Sequence, residues 1–164
     1  MTGSDLPSVP EIRPKDAERD VAACFPLMRQ LRPHLASEEE FVTRWRRQSA
    51  TGYRLIALWQ ADAPVALAGF RAQENLVHGV HLYVDDLVTD ESARRAGHGR
   101  LMIDRLEAEA RELGCTRLLL DTPLSNALGH RFYFRQGLLA RALLFSIDLD
   151  SASLAIGAWR PIGG

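Results

Sequence analysis

One stretch constrains this chain more than any other: Arg94-Arg95-Ala96-Gly97-His98-Gly99-Arg100-Leu101. It follows a strand-like run, His81 to Thr89, and opens a helix-like run, Leu101 to Leu113. In that run Ile103, Leu106, Ala110 and Leu113 keep helical spacing, and Gly114 fits a C-cap. A glycine-interrupted loop entering a helix gathers free backbone N–H groups at one point. Those donors, the positive end of the helix dipole and the arginines suit phosphate oxygens. A strand, this loop and a helix therefore predict an α/β fold that holds a phosphorylated ligand.

The rest of the chain supplies the sheet. Residues 1–10 read as a flexible tail, and 11–164 as a single domain. Glu11 to Arg13 is a short first strand. Asp16 to Leu31 carries a helical stripe, Val21, Phe25, Met28 and Leu31, which Pro26 kinks or splits. Ser37 with Glu40 forms a capping box for a helix reaching Ser49, with Phe41 and Trp45 on its inward face. Tyr53 to Trp59 and Val65 to Ala72 are strands joined by a turn at Ala61 to Pro64. A loop around Glu74 to Gly79 precedes the strand His81 to Thr89. After the long helix come a strand, Arg117 to Asp121, a helix, Asn126 to Gln136, and a last strand, Leu143 to Leu149. Consecutive early strands imply antiparallel pairing, and the later strand–helix–strand unit implies one parallel crossover. The expected fold is a mixed, mostly antiparallel sheet flanked by helices.

Bulk properties exclude several classes. A net charge of −1 on 164 residues sets up no field favouring nucleic acid or membrane. No apolar run approaches the ~20 residues that span a bilayer, and the polar N-terminus lacks an apolar signal core, so a cytoplasmic protein is expected. Cys24 and Cys115 sit apart in apolar surroundings and read as buried thiols. No set of His, Cys and carboxylates has zinc-ligand spacing, so no metal is expected. No Gly-x-Ser-x-Gly elbow supports a serine hydrolase.

Among phosphate loops, a Walker site needs a Gly-Lys-Ser/Thr ending that is missing here. A dinucleotide site of Rossmann type shares the strand, Gly97-x-Gly99, the helix and Asp121. It is opposed by Met102 at the third glycine position and by the length of the Thr89 to Gly97 connection. Arg94-x-x-Gly97-x-Gly99 instead resembles the acyl-CoA loop of the GCN5-related N-acetyltransferase (GNAT) family. The strand Leu82 to Thr89 is similar to that family's central strand. Asn126-Ala127-Leu128-Gly129-His130-Arg131-Phe132-Tyr133, running to Gly137-Leu138, resembles its second motif, Asn-x-x-Ala-x-x-Phe-Tyr-x-x-x-Gly-Phe. The departures are His98 for an aliphatic residue, Gly129 for alanine and Leu138 for phenylalanine.

The resemblance implies transfer of an acetyl group from acetyl-CoA to a primary amine, within a ternary complex and by direct attack. Backbone N–H groups across Arg94, Arg95, Ala96, Gly97, His98, Gly99 and Arg100 would meet the pyrophosphate. Backbone at Leu87, Val88 and Thr89 would pair with the pantetheine arm, and Asn126 would contact it or set the helix start. Tyr133 matches the residue that protonates the departing thiolate. An alkyl amine of pKa ~10.4 is nearly all protonated at pH 7, so a base is needed. Asp85 and Asp86, adjacent in an apolar strand and expected on opposite faces, are the candidates, and nothing in the sequence chooses between them. His78 and His81 are alternative bases. Phe41, Trp45 and the Glu74 to Gly79 loop are expected around the acceptor, a small molecule or peptide amine. Its acidic surroundings hint at a cation. The family admits a homodimer. A non-catalytic acyl-CoA-binding or regulatory module is the rival reading.

Overall fold

The computed structural model describes residues 11–14 and 17–149. The predicted tail, residues 1–10, lies outside them. Five strands form one sheet in chain order: β1 (Glu11–Pro14), β2 (Arg54–Gln60), β3 (Ala63–Asn75), β4 (Gly79–Thr89) and β5 (Arg117–Leu120). The first four pair antiparallel, and β5 joins β4 in parallel. This is the sheet the strand spacing predicts.

Helices cover both faces. The apolar stripe of the N-terminal region forms α1 (Glu18–Ala22) and α2 (Phe25–Leu31), split where Pro26 enters the first turn of α2. Helix α3 (Glu38–Ser49) starts on its capping box: the Glu40 N–H donates to Ser37 Oγ at 3.1 Å, and the Glu40 carboxylate accepts from the Ala36 N–H at 2.8 Å. These helices bury Val21, Leu27, Met28, Phe41 and Trp45 against Leu55, Ala57 and Leu67 of the sheet. On the other face, α4 (His98–Glu112) buries Met102, Ile103, Leu106 and Ala110 against Ile56, Leu58, Phe70, Leu82 and Val84. Helix α5 (Ala127–Arg135) adds Phe132 to that face. Strand β2 shows the period of two directly, since Leu55 and Ala57 face one layer and Ile56 and Leu58 the other.

Strand β4 breaks that period. Gly69 pairs with Asp86, but the next residue, Phe70, pairs with Val84, so Asp85 is an extra residue on β4. This is a β-bulge, and it switches the parity of the strand. Leu82 and Val84 face α4, whereas Val88 joins the layer under α1–α3. The expectation that Asp85 and Asp86 point to opposite faces is therefore corrected. Simple alternation holds only in an unbulged strand.

A second difference lies at the end of the chain. Residues 139–149 carry no helix or strand, so the strand predicted over Leu143 to Leu149 is not formed within this sheet. Alternation makes a segment competent for pairing, but a strand exists only when a ladder partner is present. Among the described residues none pairs with it.

Candidate active site

Strands β4 and β5 part company halfway. Their parallel register runs from His81 opposite Arg117 to Val84 opposite Leu120 and stops there. Beyond it, β4 still pairs with β3, up to Thr89 opposite Ala66. From Asp85 to Thr89 the β5-side edge of β4 therefore has no ladder partner among the described residues. Leu87, Val88 and Thr89 stand on this opened edge, with Val88 buried and the other two half-buried. Backbone groups of successive residues point to opposite edges of a strand, so Leu87 and Thr89 turn theirs to the gap, while Val88, in step with Asp90 whose N–H reaches the Val65 carbonyl at 2.8 Å, turns its own to β3.

At the mouth of the gap, Asp90 caps a single 3-10 turn, Glu91–Ala93, by accepting from the Ser92 N–H at 2.8 Å. Gln30 anchors the turn to α2, donating to Asp90 Oδ2 at 3.0 Å and accepting from the Glu91 N–H at 3.2 Å. These hydrogen bonds, those from Ser92 first, hold the Asp90 carboxyl below its usual range. Arg95 and Gly97 then adopt left-handed backbone, at φ 71° and 81°. For Arg95 that conformation costs of order 1–2 kcal/mol.

Helix α4 begins three residues earlier than periodicity suggests, at His98. Its first helical bond is Leu101 N–H to Gly97 C=O, 3.2 Å. The N–H groups of His98, Gly99 and Arg100 thus have no carbonyl one turn back. A β-carbon on Gly97 would have no neighbour within 4 Å, so this position borders open space. Gly99 serves helix packing instead. A β-carbon there would lie 2.9 Å from the Phe132 ring, so its bareness seats α5 against α4. The side chains of Arg94, Arg95 and Arg100 are exposed, and those of Arg94 and Arg100 pair with Glu91 and Asp104 at 3.5 and 3.8 Å. The His98 ring, which replaces an aliphatic residue, is buried at 5% exposure with Nδ1 unpartnered among the described residues.

Across the gap lies a cavity of about 630 Å³, within the range that small-molecule sites occupy. Phe41 and Trp45 of α3 wall one side. Tyr83, Asp85 and Asp86 of β4 floor it, and Asp121, Asn126 and Tyr133 close it. The Glu74 to Gly79 loop does not line it. That loop is a tight hairpin turn in which Asn75 Oδ1 accepts from the Val77 and His78 N–H groups at 3.0 and 2.7 Å. His78 and His81 are also absent from the walls. They stack edge-on, their ring centroids 5.5 Å apart, and His81 is bonded through Nδ1 to the Gly79 carbonyl at 2.9 Å. The sequence placed them beside β4 but could not tell which end of the strand carries the site.

The bulge turns both aspartates towards this cavity, and arginines meet them. Arg32 Nε donates to Asp86 Oδ1 at 2.8 Å, and the Tyr53 hydroxyl donates to Asp86 Oδ2 at 2.9 Å. Both oxygens of Asp86 are thereby occupied. Arg71 Nε donates to Asp85 Oδ2 at 2.9 Å, while Arg71 Nη2 donates to Gln48 on α3 at 2.9 Å. Asp85 Oδ1 has no hydrogen-bond partner among the described residues. Tyr53 can lie across β3 only because residue 69 is glycine: a β-carbon there would sit 1.8 Å from its hydroxyl. Burial, then the charge of Asp86, drives the Tyr53 phenol well above its usual pKa.

Asp121, which the sequence offered only as a ribose-binding acid, lines the same cavity. It follows β5 and accepts a hydrogen bond from the Tyr83 hydroxyl. Burial and that bond push Tyr83 up to about 12. Tyr133, half-buried in the last turn of α5, is raised by burial first and by the charge of Asp121 second. The only sequence signal for Asp121 was position, at the end of a strand that borders the opened gap. Asn126 acts as the N-cap of α5, accepting from the Gly129 N–H at 3.0 Å, and it also reaches the cavity. A β-carbon at Gly129 would meet the Asn126 side chain at 2.3 Å, so in this rotamer the cap uses the space that glycine leaves. Among the described residues no group of three or more His, Cys, Asp or Glu could hold a metal ion, and no helix is long and apolar enough to cross a membrane.

A sheet parted beside a donor-rich helix mouth, with a phenol and carboxylates across the gap, is the architecture of an acyltransferase. The chain belongs to the acetyltransferase (GNAT) family, whose model matches residues 17–138. It is similar to an uncharacterised N-acetyltransferase, YhdJ, of Bacillus subtilis (strain 168). The two are 29% identical over 130 residues, which are 79% of this chain and 92% of that protein. An acetyltransferase of Trypanosoma brucei shares its fold at a TM-score of 0.72 and 23% identity, over 86% of this chain and all of the other. So does the aminoglycoside N-acetyltransferase AAC(6')-Iy in complex with CoA, at a TM-score of 0.77 and 14% identity, over 89% and 99% of the two chains.

Proposed function

We propose that this enzyme moves an acetyl group from acetyl-CoA to a primary amine by direct attack within a ternary complex. The observation that carries the reading is the opened β4 edge, Asp85 to Thr89. It joins the N–H groups at the mouth of α4 to the cavity that contains Tyr133. In this reading His98, Gly99 and Arg100 donate to the pyrophosphate, with Gly97 leaving room for it and the three exposed arginines of the loop adding charge. Leu87 and Thr89 lend backbone groups to the pantetheine amides, with Val88 packed between them and its own backbone turned to β3. The thioester then lies where β4 and β5 part, beside Tyr133.

The amine enters between α3 and the sheet. Asp85 Oδ1 and Asp121 are the carboxylate positions left to meet its ammonium, because both oxygens of Asp86 are engaged. One of them, directly or through a water, takes the proton that frees the lone pair. The lone pair forms the new C–N bond as the C–S bond breaks. Tyr133 passes its phenolic proton to the leaving sulfur, and the proton that the attacking nitrogen sheds as the amide forms returns through water to the tyrosinate. Its raised pKa keeps that proton in place across neutral pH.

Thiol release from acetyl-CoA against a panel of primary amines, read alongside melting-point shifts with CoA and with NAD, tests this reading. Turnover with at least one amine and stabilisation by CoA are expected. Saturable CoA binding with no turnover on any amine overturns it in favour of a binding module. A response to NAD and none to CoA overturns it altogether.

A further inference from the structure

The charged side chains around the cavity beside Tyr133 are largely engaged with one another. Across the floor, Arg32 holds Asp86 at 2.8 Å and Arg71 holds Asp85 at 2.9 Å. At the rim, Arg44 of α3 holds Glu40 at 2.7 Å, and exposed His34 is the other basic group of the wall. Each of the three guanidiniums therefore has a carboxylate of its own. The uncharged polar groups are tied in the same way. Gln48 Oε1 accepts from Arg71, and the Tyr53 and Tyr83 hydroxyls donate to Asp86 and Asp121.

That pairing limits the charge an acceptor can bring. Its reacting ammonium meets Asp85 Oδ1 and Asp121. A second ammonium deeper in the cavity has to draw Asp86 from Arg32, and an anionic group has to draw Arg32 from Asp86. Either exchange breaks a charge-assisted pair at a carboxylate whose side chain is only 13% exposed. Breaking such a pair loses on the order of tenfold in affinity or more. The rim adds little pull on either sign, since Glu40 and Arg44 offset each other.

The remaining wall is apolar. Leu31, Leu35, Phe41 and Trp45 line it on the helical side, and Leu87 and Leu120 on the sheet side. A hydrocarbon body gains by leaving water there, whereas a charged or hydroxylated one is left short of partners. We infer that the acceptor is a hydrophobic monoamine: a single primary ammonium on an apolar body, with no second cation and no anion. The ammonium sits at Asp85 and Asp121, within reach of the thioester beside Tyr133, and the body lies against Trp45 and Leu31. This names the acceptor class of the proposed acetyl transfer and rests on that reading.

The test uses the full chain saturated with CoA. Hexylamine, hexamethylenediamine and ε-aminocaproate have the same carbon count and differ at the far end, which is methyl, ammonium or carboxylate. Calorimetric titration should show hexylamine binding about tenfold tighter than either of the others. Thiol release from acetyl-CoA should rank kcat/KM in the same order. Leu31→Asn, at a half-buried wall position, should weaken hexylamine several-fold and leave CoA affinity unchanged. Unchanged hexylamine affinity in that variant overturns the inference. So does equal or tighter binding of the diamine or of ε-aminocaproate, or binding by none of the three. Binding in the expected order without thiol release supports the preference of the site and overturns the transfer reading alone. Thiol release fastest with the diamine or with ε-aminocaproate overturns the inference and leaves acetyl transfer standing.

Discussion

At the scale of residues, the site separates acids by what already holds them. Asp86 has both oxygens bonded, to Arg32 and Tyr53, so its removal acts first on the fold. Removing one partner of a part-buried, charge-assisted pair costs on the order of 1–3 kcal/mol. Asp86→Asn is expected to lower the unfolding free energy in urea by that amount, while Asp121→Asn leaves it nearly unchanged and cuts kcat/KM for the amine. A pH–rate profile for the second variant should lose its acidic limb if Asp121 takes the proton. Tyr133→Phe is expected to reduce kcat by about 10²-fold or more with the KM for acetyl-CoA preserved, since general-acid contributions are of that size. An unchanged kcat would remove Tyr133 from the proton path. These roles were only partly legible in the sequence. Tyr133 and the glycine loop stand in motifs with fixed spacing. The division of labour among Asp85, Asp86 and Asp121 depends on which arginines and tyrosines arrive from the end of α2, from β3 and β4 and from the start of β2, and those distances are set by tertiary packing.

At the scale of elements, strand and helix order followed from periodicity and capping residues, and the β4 bulge did not. One inserted residue leaves composition and local propensity unchanged, yet it moves Asp86 and Val88 to the other face. The bulge lies opposite Gly69, and Gly69 is also where Tyr53 crosses β3. A β-carbon at that point must displace the Tyr53 ring or the strand, because the hydroxyl would be 1.8 Å away. Gly69→Ala is therefore expected to destabilise the chain by ~1–3 kcal/mol, the cost of overpacking a filled interior. The methyl group should cost much less in a Tyr53→Ala background, where the colliding hydroxyl and the ring carbons at 2.4 and 2.6 Å are gone. Urea unfolding of Gly69→Ala in the two backgrounds measures this, and an equal loss in both would mean that the strand, not the tyrosine, resists the methyl group. The same limit of local patterning explains the end of the chain. Residues 143–149 read as strand-competent, but alternation does not say which strand supplies the ladder, and among the described residues none does.

At the scale of the whole molecule, composition turns an ordinary alkaline titration into a specific one. Nearly every basic side chain is arginine, and Lys15 is the single lysine. Arginine holds its proton at any pH a folded protein survives. The three tyrosines therefore dominate proton loss above pH 10, and burial raises all three: Tyr53 well above the ordinary value, Tyr83 to about 12, and Tyr133 upward. The unfolded chain releases these phenolic protons near pH 10, its ordinary tyrosine value, while the folded chain still binds them. With more protons bound in the folded state, stability must fall as pH rises. The contribution is intact below about pH 10 and drains away above it. A melting-point series should thus be flat through neutral pH and descend beyond that point, and tyrosinate absorbance of the folded protein should lag behind that of the unfolded chain. Tyr53→Phe, which removes the most deeply buried phenol, should flatten the descent even though it weakens the hold on Asp86. If the slope above pH 10 is the same in that variant, the alkaline limb belongs to other groups, and the tight Tyr53–Asp86–Arg32 floor of the cavity is not what sets it.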